Sequence, residues 1–502
     1  MKSFASRRVW VLAMAALVAA ALLAVLASGS GRARLGEWVQ GSPLDAVFRM
    51  VLGDLRGRMR DSAPVCSPTV RASRPTPVIL IAIDTIRADR LGFLGYERDV
   101  SPRIDELARE SIVYRRAISA APWTTPAFVG IFTGSHPGAL GFEGEALVLP
   151  GDVPVLADAL CEAGWQTAGV VSHSYVGIKY GFDRGFEHWD ERNAGGHLHV
   201  SSESITSLAL DFVDEVTDGT PGDSERPLFL FAHYFDPHYD YREHATHRFS
   251  SGYSGPHQSQ NDNFNQLVKL AYDGELDAAA IQHLHDSYDS EIAYTDAEIG
   301  RLIDGLKERG LYDESLIVLL GDHGEMLVER PERLLGHGMA VYQPLVHVPL
   351  LIKLPGSERV ERVDGPVSTV DVMPTILDFV GHPERASGEA ARRSLLRLDQ
   401  ANRRPAFAQT RRDGIRDTVV DGNWKLIRDT VRNRSELYDL DRDETESNDV
   451  AWRYPEVVAR LEARLESWHE ELARHREGRP DAAAPELSEE EIEQLRGLGY
   501  VE

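Results

Sequence analysis

Two acidic residues of this chain stand directly after apolar runs that read as strands. "PVILIAID" ends on Asp84, and "SLIVLLGDHGE" leads into Asp322 and His323. A carboxylate beside an imidazole at a strand end suits a divalent cation with mixed oxygen and nitrogen ligands. A lone acid after a strand is equally a helix cap, and Asp84 alone supports that reading too. A third stretch, "APWTTPAFVGIFTG", reads as a loop entering a helix whose first turn aims free backbone N–H groups and partial positive charge at whatever lies before it. Thr124 or Thr125 stands at that point, as a nucleophile or simply as an N-cap. "HYFDPHYDY" crowds His233, Asp236, His238 and Asp240 behind another apolar run, and "LGHGMAVYQP" sets His337 between two glycines. Imidazoles in such loops bind anions or donate protons, although an isolated histidine is more often structural.

The elements that must position these groups alternate between apolar runs and helical patterns: "PVILIAID", "SPRIDELARES", "WQTAGVVS", "PLFLFAHYF", a long helix over 279–309, and "SLIVLLGD". Continuous apolar strands separated by helices predict an α/β fold, a mostly parallel sheet sandwiched by helices. Ligands of such sheets gather at the carboxyl ends of the strands, where the acids stand. Past "VPLLIKLPG" and the helix "STVDVMPTILDFVG" come short strand candidates around "DGIRDTVVDGNWKLIRD" and a Glu- and Arg-rich helix over 454–474. The organisation expected is a catalytic domain at 77–390, a smaller α+β C-terminal subdomain at 391–480, and a tail with a short helix at 481–502. Residues 239–285 read as a long loop bordering the site, polar enough for a sugar-bearing substrate and equally for plain solvation.

The 502 residues carry 79 acidic against 54 basic side chains, a net charge of -25. That balance excludes a nonspecific grip on nucleic acid. An anionic substrate then needs local positive charge, most economically a metal ion. Two cysteines, Cys66 and Cys161, exclude a disulfide framework and a cysteine zinc site; one bridge or two unrelated thiols remain. At the N-terminus Lys2, Arg7 and Arg8 precede an uncharged apolar run from Val9 to Ala27. Residues 1–30 thus read as an export signal or, more in keeping with the length of the run, an uncleaved membrane anchor that places the rest outside the inner membrane. Residues 31–76 read as a juxtamembrane helix and a Pro/Ser linker.

Taken in order, "IDTIRADRLGFLGYERDVSPRIDELARES", "PWTTPAFVGIFTGSHP", "HYFDPHYDY", "GDHGE" with "GHG", and "DGNWKLIRD" with "ELYDLDRDETESNDVA" are similar to the sulfatase family of the alkaline phosphatase superfamily. The resemblance covers roughly residues 77–470 and implies that family's fold. It implies metal binding by Asp84, Asp322 and His323, and a nucleophile at Thr124 that also touches the metal. It implies contact of His238 with the transferred group, and a similar role at or beside His337. Three departures stand out. Thr85 occupies the place of a second metal-binding Asp, Phe128 the place of an Arg, and Thr124 the place of the Cys or Ser that usual sulfatases oxidise to formylglycine. No formylglycine is therefore expected, and branches of the superfamily with Thr here are mostly phosphoryl-transfer enzymes.

A threonine hydroxyl attacks poorly at neutral pH unless a divalent cation lowers its pKa. One imidazole among the ligands favours zinc or manganese, with calcium an alternative. A second metal would need Asp236, His238 and His337; the expectation is one metal, with the histidines on substrate. The function implied is a metal-dependent hydrolase outside the cytoplasm, acting on a phosphate monoester, diester, phosphonate or sulfate ester of a small molecule, glycan or lipid. The alternative is a membrane-anchored phosphoethanolamine- or phosphoglycerol-type transferase of the envelope. A noncatalytic binding protein fits less well, because all six site residues are retained.

Overall fold

Six consecutive apolar residues, Val78–Ile83 (β1), leave no polar face for solvent, and all of them are buried. In this computed structural model the described residues are 75–487, apart from 143–146, 195–200, 218–225, 240, 251, 258–263, 358, 387–392, 398–403, 413 and 480–481. The chain divides into two units, Met1–Pro64 and Val65–Glu502, and the fold below is that of the second. The N-terminal apolar run and the juxtamembrane helix lie outside the described residues. Among the described residues no helix is long and apolar enough to cross a membrane.

After β1 come Pro102–Ala108 (α1), Ile112–Ile118 (β2), Thr124–Thr133 (α2), Leu156–Glu162 (α3), Gln166–Val170 (β3), His188–Asp190 (β4), Ser202–Thr217 (α4) and Leu228–Tyr234 (β5). Phe264–Asp273 (α5), Ala278–Glu308 (α6), Leu316–Gly321 (β6), Met326–Leu327 (β7), Leu335–Gly336 (β8), Gln343–Val346 (α7), His347–Val348 (β9), Leu350–Lys353 (β10), Glu361–Ser368 (β11) and Val372–Phe379 (α8) follow. Ala406–Thr410 (β12), Arg416–Asp421 (β13), Trp424–Asp429 (β14), Arg434–Asp439 (β15) and Pro455–Arg476 (α9) are the last elements among the described residues. The large sheet runs β11-β2-β10-β6-β1-β5-β3-β4, with β9 beside β2. Its centre is parallel, and β9 and β10 run antiparallel to their neighbours, so the expected α/β class holds.

Alternation along β1 sorts the core into two layers. Val78, Leu80 and Ala82 pack with Phe128, Phe132 and Phe231 under α2 and α8, whereas Ile79, Ile81 and Ile83 pack with residues of α1, α4 and α6 on the other face. The long helix α6 begins at an Asp277 N-cap whose side chain accepts from Ala280 N–H. Replacing Asp277 with alanine is expected to cost about 1 kcal/mol of stability, measurable by denaturant titration. The stretch 239–285, expected as one loop, instead contains α5 and the start of α6.

The C-terminal strands β12 to β15 form a four-stranded antiparallel sheet. One face packs Val419, Leu426 and Leu437 against Leu461, Leu465, Trp468 and Leu472 of α9. The other packs Val420, Ile427 and Tyr438 against Val341, Tyr342 and Leu345 near the large sheet. Cys161, buried in α3, is disulfide-bonded.

Candidate active site

In-register pairing of Ile83 with Tyr234 on β5 and with Gly321 on β6 makes Asp84 and Asp322 the next residues of neighbouring parallel strands. Both continue the alternating face that carries Ala82 and Leu320, the face on which α2 lies. Thr124 is the first residue of α2. The N-cap is Trp123 and makes no side-chain cap, so neither threonine serves the capping role that the sequence left open.

The four side chains meet in a site with no solvent exposure. His323 Nε2 lies 3.3 Å from Thr124 Oγ1, 3.5 Å from Asp84 Oδ1 and 3.4 Å from Asp322 Oδ2. His323 Nδ1 lies 2.9 Å from the Gly324 carbonyl oxygen; an Nδ1–H donated there leaves Nε2 as the lone-pair nitrogen facing the carboxylates. Asp322 Oδ1 accepts the N–H groups of His323 at 2.7 Å and Thr85 at 3.2 Å. Among the described residues Asp322 Oδ2 and both oxygens of Asp84 make no hydrogen bond. Three buried carboxylate oxygens without donors call for a cation. Burial, and then repulsion from Glu325, raises Asp84; burial, and then repulsion from Asp84, raises Asp322. His323 is pushed well down by burial and then by His337, which keeps its ring neutral. Ligand atoms of Asp84, Asp322 and His323 all lie within 4.8 Å of one another. With the Thr124 hydroxyl beside them they fit a divalent metal ion.

Thr85 shapes this cluster through its backbone. Its φ of 53° is in the left-handed region, which is costly for a β-branched residue. The bend aims its N–H at Asp322, and Tyr288 donates its hydroxyl hydrogen to the Thr85 carbonyl at 2.7 Å. Gly324 is required by proximity, since it does not adopt a left-handed conformation and a Cβ there would collide with the Pro344 carbonyl oxygen. Gly324→Ala is expected to destabilise the protein by roughly 3 kcal/mol, read as a lowered melting midpoint.

The short hairpin β7–β8 pairs Met326 with Gly336 and so returns the chain beside His323. Gly336 and Gly338 are both left-handed, at φ 93° and 92°, and present His337 between them. The His337 ring sits 4.6 Å from His323 and 4.8 Å from His238 between centroids. Its Nδ1 is 3.1 Å from Glu325 Oε1, and burial followed by the nearby Arg412 charge lowers it to about 3. His238 is buried and stacked on Phe235, with centroids 4.4 Å apart. The six residues singled out by sequence are thus gathered around one point.

Other residues of these motifs have different places. Asp236 accepts the N–H groups of Ser201 and Ser202 at 2.7 Å and so caps α4. Asp240 lies outside the described residues. His233, the penultimate residue of β5, has Nε2 3.5 Å from Asp84 Oδ2, and its ring and that of Phe128 meet edge to face with centroids 5.0 Å apart. Sequence reading missed His173, whose Nδ1 is 4.0 Å from Asp84 Oδ2, although it too follows an apolar strand. It also missed Glu325, inside the quoted "GDHGE", and Arg412, for which no local signal exists.

The Sulfatase family model matches residues 76–382. Arylsulfatase K of Gallus gallus is 30% identical over 208 residues, which cover 39% of this chain and 38% of that protein. The chain thus spans about two fifths of the length of the arylsulfatase relatives it matches. The fold matches the solved structure of a 2-O GAG sulfatase with TM-score 0.64 and 17% identity, covering 82% of this chain and 98% of that one. It also matches the phosphonate monoester hydrolase of Agrobacterium radiobacter, with TM-score 0.60 and 18% identity over 79% and 96% of the two chains. With more than half of its length matched to that model, the chain belongs to the sulfatase family.

Proposed function

We propose that this protein is a metal-dependent hydrolase of anionic esters in which Thr124 is the nucleophile, with phosphate and phosphonate esters preferred over sulfate esters. The observation that carries the reading is Thr124 Oγ1 at 3.3 Å from His323 Nε2, beside carboxylate oxygens that make no hydrogen bond among the described residues. A zinc or manganese ion held by Asp84, Asp322, His323 and Thr124 would lower the pKa of the hydroxyl and offset the charge of the incoming anion.

The chain's own groups supply the rest. The first turn of the ten-residue α2 directs its free N–H groups toward the reacting centre. His238 and His337 steady the nonbridging oxygens and the leaving oxygen; Glu325, whose carboxyl burial raises well above the usual range, donates its proton to His337 Nδ1, so that Nε2–H is the donor offered to substrate. Thr124 Oγ1 gives up its proton and bonds to phosphorus as the P–O bond to the alcohol breaks and the alcohol oxygen takes up a proton; water then attacks phosphorus, breaks its bond to Oγ1, returns a proton there and releases the phosphate or phosphonate. The substrate is a small molecule, glycan or lipid. An extracytoplasmic location is supported by the N-terminal apolar run and by the disulfide at Cys161.

The test is turnover of nitrophenyl phosphate, bis-nitrophenyl phosphate, a nitrophenyl phosphonate and nitrophenyl sulfate by protein loaded with zinc or manganese. The phosphorus esters are expected to give the higher kcat/KM; faster sulfate turnover would reverse the preference drawn from Thr124.

A further inference from the structure

Arg412 stands between β12 and β13 of the C-terminal sheet, yet the chain builds it into the catalytic loops. Gln409 N–H donates to the Ala120 carbonyl at 3.1 Å, which ties the end of β12 to the loop entering α2. The Thr410 hydroxyl donates to the Gly338 carbonyl at 2.6 Å and accepts the Arg412 N–H at 3.2 Å. The Arg412 side chain then runs along Gly338, with Cδ and Nη1 each 3.2 Å from where a Cβ would stand, and its Cζ lies 5.1 Å from the centre of the Trp123 ring. Trp123 precedes the nucleophile and Gly338 follows His337. A cation is therefore gripped between the two segments that handle the ester. Trp123 is buried and Arg412 is half-buried, so the guanidinium lies on the outer side of the ring.

The transferred group already has His238, His337 and the proposed metal. A further arginine one side chain out is placed for the alcohol portion, where its planar fork can pair with an oxyanion through two hydrogen bonds. In a chain of net charge -25, a second anionic group on the substrate would otherwise meet repulsion. We propose that Arg412 sets specificity for esters whose leaving alcohol bears a second oxyanion, a carboxylate, sulfate or phosphate, received by the guanidinium while Thr124 attacks the first. This rests on the reading of Thr124 and its neighbours as the ester-cleaving centre.

The experiment compares nitrophenyl phosphate with the same ester carrying a ring carboxylate, on the full chain and on its Arg412→Gln and Arg412→Lys variants. The wild type is expected to favour the carboxylated ester. Arg412→Gln should lower the ratio of the two kcat/KM values by at least about tenfold, the scale of one charge-assisted contact, with part of the preference kept in Arg412→Lys. Equal losses on both esters, leaving the ratio unchanged, would overturn the proposal. If the wild type turns over neither ester, the hydrolase reading falls, and binding of the two esters to the Thr124→Ala protein decides Arg412 separately. There a tenfold preference that vanishes in Thr124→Ala/Arg412→Gln supports the assignment, and equal binding ends it.

Discussion

Replacing Thr124 with alanine is expected to lower kcat by at least about 10³-fold, whereas Thr125→Ala should stay within about tenfold of wild type. The two threonines are neighbours, both fully buried in the first turn of α2, so helix propensity and bulk change almost equally in the two variants. They differ in what the hydroxyl meets. Thr124 Oγ1 is 3.3 Å from His323 Nε2 inside the carboxylate cluster, and Thr125 Oγ1 has no hydrogen-bond partner among the described residues. A nucleophile leaves a second mark that a structural residue does not. Mass spectrometry of protein quenched during turnover of a phosphate ester should find phosphate on the peptide containing Thr124 and not after Thr124→Ala. Thr124→Ser keeps a hydroxyl at the same point and should retain measurable turnover. Full activity in Thr124→Ala would remove the threonine from the chemistry and leave water as the attacking group.

Much of this centre is visible in the sequence because it continues strand alternation. Asp84 and Asp322 stand where the next inward residue of β1 and β6 belongs, so apolar runs ending on an acid mark them without any fold. The choice between Thr124 and Thr125 is not local, since it depends on how α2 lies on the sheet. The place of Asp236 is likewise not local: its carboxylate serves the start of α4 although it stands two residues from His238. Strands β2 and β11 escape a search for apolar runs because each carries exposed charged residues, Arg115 on one and Arg362 within a half-exposed stretch of the other. Arg412 escapes altogether. Only the hydrogen bonds of Gln409 and Thr410 bring it to Trp123 and Gly338, and no spacing in the sequence encodes that meeting. The departure at Phe128 becomes intelligible through packing, because its ring fills the inner face against Phe132, Phe182, Phe231 and His233.

Stripping divalent metal with a chelator is expected to abolish turnover and lower the melting midpoint by several degrees, with zinc or manganese restoring both. An ion at a hundredfold excess over its Kd stabilises the native state by about 2.7 kcal/mol, all of it lost on removal. The sign of the pH dependence is fixed by Asp84 and Asp322. Burial raises both carboxyls in the metal-free fold above their unfolded values, so the metal-free protein binds more protons folded than unfolded through the interval between those pKa values. Its stability from this pair is greatest below the ordinary carboxylate range and falls as pH rises through that interval. Metal binding needs both carboxylates ionised, and so strengthens over the same rise. The gap in melting midpoint between loaded and stripped protein should accordingly be small near pH 5 and widen toward pH 8. Asp322→Asn removes one of the two charges and should shrink that gap at pH 8 while lowering bound metal, measured by atomic emission after dialysis. A gap that stays constant from pH 5 to pH 8, with metal content unchanged in Asp322→Asn, would place the ion elsewhere and leave the two carboxylates without their cation.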